Sequence, residues 1–271
     1  MQNNLFNVKD KVIILTGGSG ILGSCMALYL AKEGAAIVIL DIKEEAGRAL
    51  EEKIRKEGGK ALFLITDVLD KQVLESNAKA IIDAFGRIDV LINLAGGNMP
   101  GATIPPDKTF FDLDIDAFRK VVDLNLFGTV IPTMVFARFM VEQKKGSIIN
   151  ISSESALRPL TRVMGYGTAK AAINNFTQSM AGELAIKFGE GLRVNAIAPG
   201  FFLTDQNRAL MTNPDGTPSA RCQTVIAHTP FRRLGQPEEL LGTVQYLASD
   251  ASAFVTGTVL PVDGGFDAFS I

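Results

Sequence analysis

The chain has 271 residues, with 27 Lys and Arg against 29 Asp and Glu, a formal net charge of -2 and 47% hydrophobic residues. That length and apolar content suit one α/β domain with a single large core, and a pI near 5.6 excludes the basic excess of a nucleic-acid binder. Cys25 and Cys222 stand far apart and His228 is the single histidine, so the chain offers neither a disulfide framework nor metal-ligand spacing; no metal site is expected.

The N-terminal MQNNLFNVKDK has no basic segment followed by an apolar one, and no uncharged apolar run reaches the ~18 residues that span a bilayer. A soluble cytoplasmic protein is expected. Val12 to Leu15 is a short apolar run, as in a strand buried on both faces of a parallel sheet. A glycine-rich turn follows, then a helix to about Gly34, a strand from Ile37 to Leu40 closed by Asp41, and a charged helix from about Glu44 to Glu57. Ala61 to Ile65 and Asp89 to Asn93 read as strands on either side of a helix from about Lys71 to Phe85. The regular alternation predicts a Rossmann-like, doubly wound parallel sheet of about seven strands in a single domain spanning 1–271.

A Gly- and Pro-rich loop from Ala95 to Leu113 precedes a helix from about Asp116 to Glu142, expected to bend near Gly128 and Pro132. Ser147 to Ile151 is the next strand, a helix starts just before Tyr166 and runs to about Phe188, and Leu192 to Ile197 is the sixth strand. Between Pro199 and Pro237 the pattern is irregular and includes the turn Asn213-Pro214-Asp215-Gly216. A stretch of this length reads as a substrate lid, around 200–236. A helix from about Glu238 to Leu247 and a strand from Thr258 to Val262 complete the pattern.

Two stretches carry chemistry. In Gly17-Gly18-Ser19-Gly20-Ile21-Leu22-Gly23, the last six residues match G-x-G-x-x-G directly after a strand and at a helix start. The glycines permit a tight turn, and the helix N-terminus offers free N–H groups to a pyrophosphate. Asp41, eighteen residues past Gly23, can accept hydrogen bonds from ribose hydroxyls and repel a 2′-phosphate. NAD(H) is therefore expected in preference to NADP(H), with Lys43 the main counter-argument. In the second stretch, Tyr166 and Lys170 lie four residues apart on one helix face, thirteen residues after Ser153. An ammonium close to a phenol favours the phenolate, so the phenol is expected to move toward working pH, with Ser153 holding the substrate oxygen against it.

Together with Asn93-Leu94-Ala95-Gly96 and Arg193-Val194-Asn195-Ala196-Ile197-Ala198-Pro199-Gly200, these motifs resemble the short-chain dehydrogenase/reductase family over essentially the whole chain. The match is not exact: Ile21 replaces the family's middle glycine, and Leu94 its second amide in N-N-A-G. The resemblance implies a catalytic set of Asn125, Ser153, Tyr166 and Lys170. In it Tyr166 is the general acid/base, Lys170 lowers its pKa and binds the nicotinamide ribose, Ser153 polarises the substrate oxygen, and Asn125 holds a water in the proton relay. Ser152 is expected to be structural. The resemblance also implies Asp67 and Val68 at the adenine, Asn93, Ala95 and Gly96 along the cofactor, and Pro199, Gly200, Phe202 and Thr204 at the nicotinamide carboxamide. Homotetramers are common in the family, pairing through the helices at 116–142 and 164–188 and the last strand; Ala169, Ala171, Ala172, Ala181 and Gly182 suit either such contacts or packing on the sheet.

A narrower set, including A-G-G-N at 95–98, F-F-D-L-D at 110–114, A-P-G-F-F at 198–202, Q-N-R at 206–208 and P-V-D-G-G-F at 261–266, resembles the D-mannonate oxidoreductase (fructuronate reductase) type within the family. Such a substrate needs polar groups for its hydroxyls and a cation for its carboxylate. Asn98, Arg158, Arg162, Asn207 and Arg208 are the candidates; Met99 stands where that type would have a histidine. A polyol or keto-sugar dehydrogenase and a 3-oxoacyl reductase are alternative specificities. An NAD-binding regulatory protein and a nucleotide-sugar epimerase or dehydratase are alternative functions on the same fold.

Overall fold

A computed structural model describes residues 4–204 and 207–268. Seven strands form one parallel sheet in the order β3-β2-β1-β4-β5-β6-β7: β1 Val12–Thr16, β2 Ala36–Asp41, β3 Lys60–Ile65, β4 Val90–Asn93, β5 Gly146–Ile151, β6 Leu192–Pro199 and β7 Val259–Val262. Side chains alternate across the sheet, so the inner strands feed two cores, while the edge strand β7 packs on one through Leu260 and Val262. Ile13 and Leu15 of β1 join one layer with Met26 and Leu30 of α1 (Ile21–Lys32), Leu50 and Ile54 of α2 (Glu44–Lys56), and Val244 and Leu247 of a helix near the C-terminus. Val12 and Ile14 join the opposite layer with Leu74 and Ile81 of α3 (Lys71–Phe85). The fully buried Phe136 packs there too. Burial on both faces is why these strands read as continuous apolar runs.

The order reverses between β1 and β4, which lie side by side with Leu15 opposite Ile92. In open α/β sheets, ligands bind in the crevice outside the carboxyl ends at such a reversal. Most stretches singled out for chemistry lie at or just beyond a strand's carboxyl end: 17–23 after β1, Asp41 at the end of β2, 95–98 after β4, Ser153 after β5 and 200–204 after β6, whereas Tyr166 and Lys170 lie on the helix that follows β5.

The expected long helix is three pieces: α4 (Ile115–Val122), a π-helical turn (Asp123–Phe127) and α5 (Gly128–Gln143). The break falls on Asn125, ahead of Gly128, while Pro132 sits inside α5. The π turn inserts one residue into the helical register and turns the Asn125 side chain inward, where it is 0% exposed. The stretch Ile115–Gln143 is long and apolar enough to cross a membrane by length and composition, but half of its most apolar window is buried inside this fold. α6 runs from Met164–Phe188; in the 200–236 region, α7 (Arg208–Met211) and α8 (Ala220–His228) replace the expected irregular chain. α9, Leu241–Ala248, follows a short 3-10 turn at Pro237–Leu240. Of the small residues on α6, Ala169 and Ala181 are buried against neighbouring elements, whereas Ala171 and Gly182 face outward.

Candidate active site

At the nucleotide end, Gly17 takes a left-handed conformation (φ 63°), and a Cβ there would meet the Ala95 backbone at 2.9 Å. A Cβ on Gly23 would come within 2.7 Å of the Gly17 carbonyl, so α1 reaches the turn only because residue 23 has no side chain. Gly23→Ala is expected to cost about 1–3 kcal/mol, the range for overpacking, read as a lower chemical-denaturation midpoint. Gly20, the N-cap of α1, differs: the nearest atom to a Cβ there is a carbonyl oxygen at 3.5 Å, so the protein's own packing does not demand glycine. A glycine-rich helix N-terminus, together with a buried Ser19 hydroxyl that has no partner among the described residues, fits a phosphate-bearing cofactor.

Asp41 is 8% exposed and accepts from the Ser19 N–H (3.0 Å) and the Lys43 N–H (3.1 Å). Its carboxylate is therefore fixed against the glycine turn. Asp67 is exposed and caps Leu69, while Val68 is buried against Gly128. Thr16 Oγ1 accepts from the N–H groups of Leu94 and Ala95 at 3.1 Å, tying the β4 exit to β1.

Asn93, expected along the cofactor, lies instead in a buried polar seam. Its Nδ2 donates to Thr133 Oγ1 and Asn150 Oδ1, both at 2.9 Å, and Asn150 donates to Thr177 Oγ1. Thr133 and Thr129 continue the seam to the Asn125 carbonyl through bonds of 2.8 and 2.9 Å. Thr129, Thr133, Asn150 and Thr177 had no motif to announce them; the only sequence signal is polar residues inside apolar runs. Asn125 Oδ1 accepts from Gly97 N–H (3.0 Å), and its Nδ2 donates to the carbonyls of Gly97 and Val121 (2.7 Å each). The amide offered as a water holder is thus committed to the Gly97 backbone.

The π turn, β5 and α6 converge on Ser153, Tyr166 and Lys170. Ser153 caps the turn after β5, accepting from Ser155 N–H (3.2 Å) and Ser155 Oγ (3.0 Å), and is hydrogen-bonded to the Tyr166 phenol. Ser152, expected to be structural, is buried, donates to Asn174 Oδ1 (2.5 Å) and lines the cavity described below. Lys170 is 4% exposed; its Nζ donates to the Ile151 carbonyl (2.7 Å) and stands 5.5 Å from the centre of the Tyr166 ring. Burial pushes Lys170 down to about 7, and burial pushes the Tyr166 phenol up against the opposing pull of the Ser153 hydrogen bond. This corrects the expectation of a phenol lowered by a neighbouring ammonium. Desolvation acts on both groups, and a lysine near neutrality supplies only part of a charge to stabilise a phenolate.

A cavity of about 790 Å³ opens beside this set, lined among others by Leu22, Asn98, Ser153, Tyr166, Pro199, Gly200, Phe202, Thr204, Asn207 and Arg221. Asn98 donates to Thr103 Oγ1 (2.8 Å) and leaves its buried Oδ1 without a partner among the described residues. Asn207 is occupied as a staple, accepting from Thr204 N–H and donating to the Phe202 carbonyl. The arginines fall differently from the expectation. Arg158 pairs with Asp267 at 3.0 Å, and neither Arg162 nor the exposed Arg208 lines the cavity. Arg221 of α8, which no motif marked, lines it and donates to the Thr161 hydroxyl and carbonyl. It reaches the site because Cys222 and Val225 of α8 pack with Met211, Phe201 and Leu203 after β6, a contact no local pattern marks.

A family model described as enoyl-(acyl carrier protein) reductase matches residues 18–267. The chain belongs to the short-chain dehydrogenase/reductase family. It is an oxidoreductase of that family, whose members bind a nicotinamide cofactor. An uncharacterized oxidoreductase of Bacillus subtilis, UxuB, is 45% identical over 97% of this chain and 97% of its own. A 3-oxoacyl-[acyl-carrier-protein] reductase of Synechocystis is 34% identical, covering 96% of this chain and 98% of that relative. Among solved structures, a protein of Haemophilus influenzae provisionally described as a D-mannonate oxidoreductase, with bound NAD, superposes with a TM-score of 0.91 at 43% identity over 97% of each chain.

Proposed function

We propose that this short-chain dehydrogenase/reductase interconverts D-fructuronate and D-mannonate, using NAD(H) in preference to NADP(H). The observation that carries the substrate class is Arg221: a guanidinium on the wall of the cavity that also holds Ser153 and Tyr166, suited to bidentate pairing with a sugar-acid carboxylate. Asn98 and Thr103 on the same wall suit the hydroxyls. The likeness to the NAD-bound Haemophilus influenzae protein supports the same reading.

When bound, the cofactor supplies or accepts the hydride. Tyr166 moves the proton at the reacting oxygen, Ser153 holds that oxygen, and Lys170 sets the local charge from its place behind the Tyr166 ring. Asn125 fixes the Gly96–Gly97 backbone against which the cofactor would lie. The segment around 200–236 acts as the lid, carrying Arg221 to the site. A homotetramer is part of this reading, with exposed apolar residues of the α4–α6 region, Phe127, Met134 and Phe188, as contacts; sedimentation of a monomer at micromolar concentration would exclude it.

A panel of D-fructuronate, neutral keto-sugars and 3-oxoacyl thioesters with NADH tests the assignment. Reduction of fructuronate is the expected result, and activity confined to acyl thioesters would favour the 3-oxoacyl reductase reading, which the Synechocystis relative represents. Arg221→Met is expected to raise KM for fructuronate by ~10–100-fold, the loss of a charge-assisted pair at about 1.5–3 kcal/mol, with little change in KM for a neutral ketose. An equal rise for both substrates would remove Arg221 from carboxylate recognition.

A further inference from the structure

Glu154 follows Ser153 directly and is 1% exposed, yet neither of its oxygens meets a hydrogen-bond donor among the described residues. The side chain placed to hydrogen-bond it is Asp263, another carboxyl group. Asp263 cannot supply the missing donor as a carboxylate; each of its oxygens accepts one N–H, Oδ1 from Gly265 (2.8 Å) and Oδ2 from Asp267 (2.7 Å), and keeps a lone pair for a further donor.

The placement of the two carboxyls follows from the sheet. Glu154 begins the turn after β5, Asp263 follows β7, and the end of β6 runs between them, where a Cβ on Gly200 would stand 2.6 Å from Asp263 Cα. The surrounding charges do not rescue a buried Glu154 anion. Asp267 is a further carboxylate, and Arg158 is paired with Asp267 at 3.0 Å. On the α6 side, which packs on the turn, stand Tyr166 and Lys170. Two facing carboxyl groups with no other donor among the described residues satisfy each other when one of them carries a proton.

We infer that Glu154 is a positioning residue that works as a neutral carboxylic acid, sharing its proton with the Asp263 carboxylate and so tying the Ser153 turn to the segment after β7. Burial first, then Asp263 and Asp267, push the Glu154 carboxyl up to about 8, against the pull of Arg158. The link therefore holds at neutral pH and is lost as the medium becomes alkaline. A group raised in the folded state from 4.5 to about 8 contributes stability that is complete below 4.5 and lost as pH rises through 8. Lys170, lowered by burial to about 7, contributes with the opposite sign from about 7 to 10.5, so comparison of variants is needed to isolate Glu154.

The role of Ser153 rests on the proposed function, but the proton link does not, and the experiment separates them. The thermal midpoint and kcat/KM of the full chain are measured from pH 4.5 to 9 for wild type, Glu154→Gln, Glu154→Ala and Asp263→Asn. Glutamine keeps a donor toward Asp263, so Glu154→Gln is expected to remove the fall in midpoint that wild type shows between 4.5 and 8 and to shift the alkaline limb of kcat/KM upward. Glu154→Ala is expected to lose about tenfold or more in kcat/KM at pH 7, as for a displaced positioning group, with Glu154→Gln restoring most of it. Asp263→Asn offers a donor to an ionised Glu154 and is expected to abolish the same fall in midpoint. Superimposable midpoint curves for wild type and both conservative variants would overturn the proton link, whatever the enzyme's substrate. An altered midpoint curve in Glu154→Gln, with kcat/KM at pH 7 equal in wild type and Glu154→Ala, would overturn the positioning role alone.

Discussion

Replacement of Tyr166 by Phe is expected to lower kcat by at least ~10²–10⁴, the range ascribed to general acid–base catalysis, while leaving NADH affinity nearly unchanged. The substitution removes one oxygen and keeps the ring, which packs with Ala102, Ala117 and Val121, so the fold is expected to survive. The hydroxyl lost is hydrogen-bonded to Ser153, leaving no group between that serine and the reacting oxygen to give or take a proton. Cofactor titration by fluorescence alongside steady-state kinetics separates chemistry from binding. Wild-type turnover in Tyr166→Phe would remove the phenol from the reaction.

The second large effect concerns the cofactor. Asp41→Ser is expected to raise the ratio of kcat/KM for NADPH over NADH by ~10²–10³, because an unpaired like-charge contact costs several kcal/mol. The carboxylate is held in place by the Ser19 and Lys43 N–H groups, so it cannot swing away from an incoming 2′-phosphate without breaking both bonds. Lys43 would then gain influence as the nearby cation. Initial rates with both cofactors, at fixed carbonyl substrate, give the ratio. A ratio unchanged by the substitution would show that Asp41 does not set the preference. A modest loss of stability accompanies the change, about 1 kcal/mol for each backbone hydrogen bond forfeited.

Seven strands in one parallel sheet were legible because burial on both faces leaves runs such as Ile13-Ile14-Leu15 and Ile37-Val38-Ile39-Leu40 with no polar interruption. The break in the helix beyond Ile115 was legible as an event but displaced in position. Gly128 and Pro132 carry the local signal, whereas the π turn at Asn125 is stabilised by side-chain bonds to Gly97, 28 residues earlier in the chain. Helices α7 and α8 went unread for a related reason: they are short and depend on a small core of Met211, Cys222 and Val225 with Phe201 and Leu203, formed only when the chain doubles back.

By itself the sequence determined the sheet-forming segments, the glycine turn ahead of a helix, and the i, i+4 placement of Tyr166 and Lys170, since periodicity and local backbone freedom are written in neighbouring residues. Tertiary structure decided what those groups experience. Burial brings Lys170 down to about 7 because α6 packs on β6 and on the turn after β5, where Nζ meets the Ile151 carbonyl. Arg221, and none of the arginines marked beforehand, lines the cavity because Cys222 and Val225 of α8 pack on Phe201 and Leu203, just past β6. Glu154, in sequence an ordinary loop glutamate, is enclosed opposite Asp263, 109 residues along the chain. Desolvation and charge proximity depend on distance in space, which the packing of the strand ends sets and no local pattern encodes.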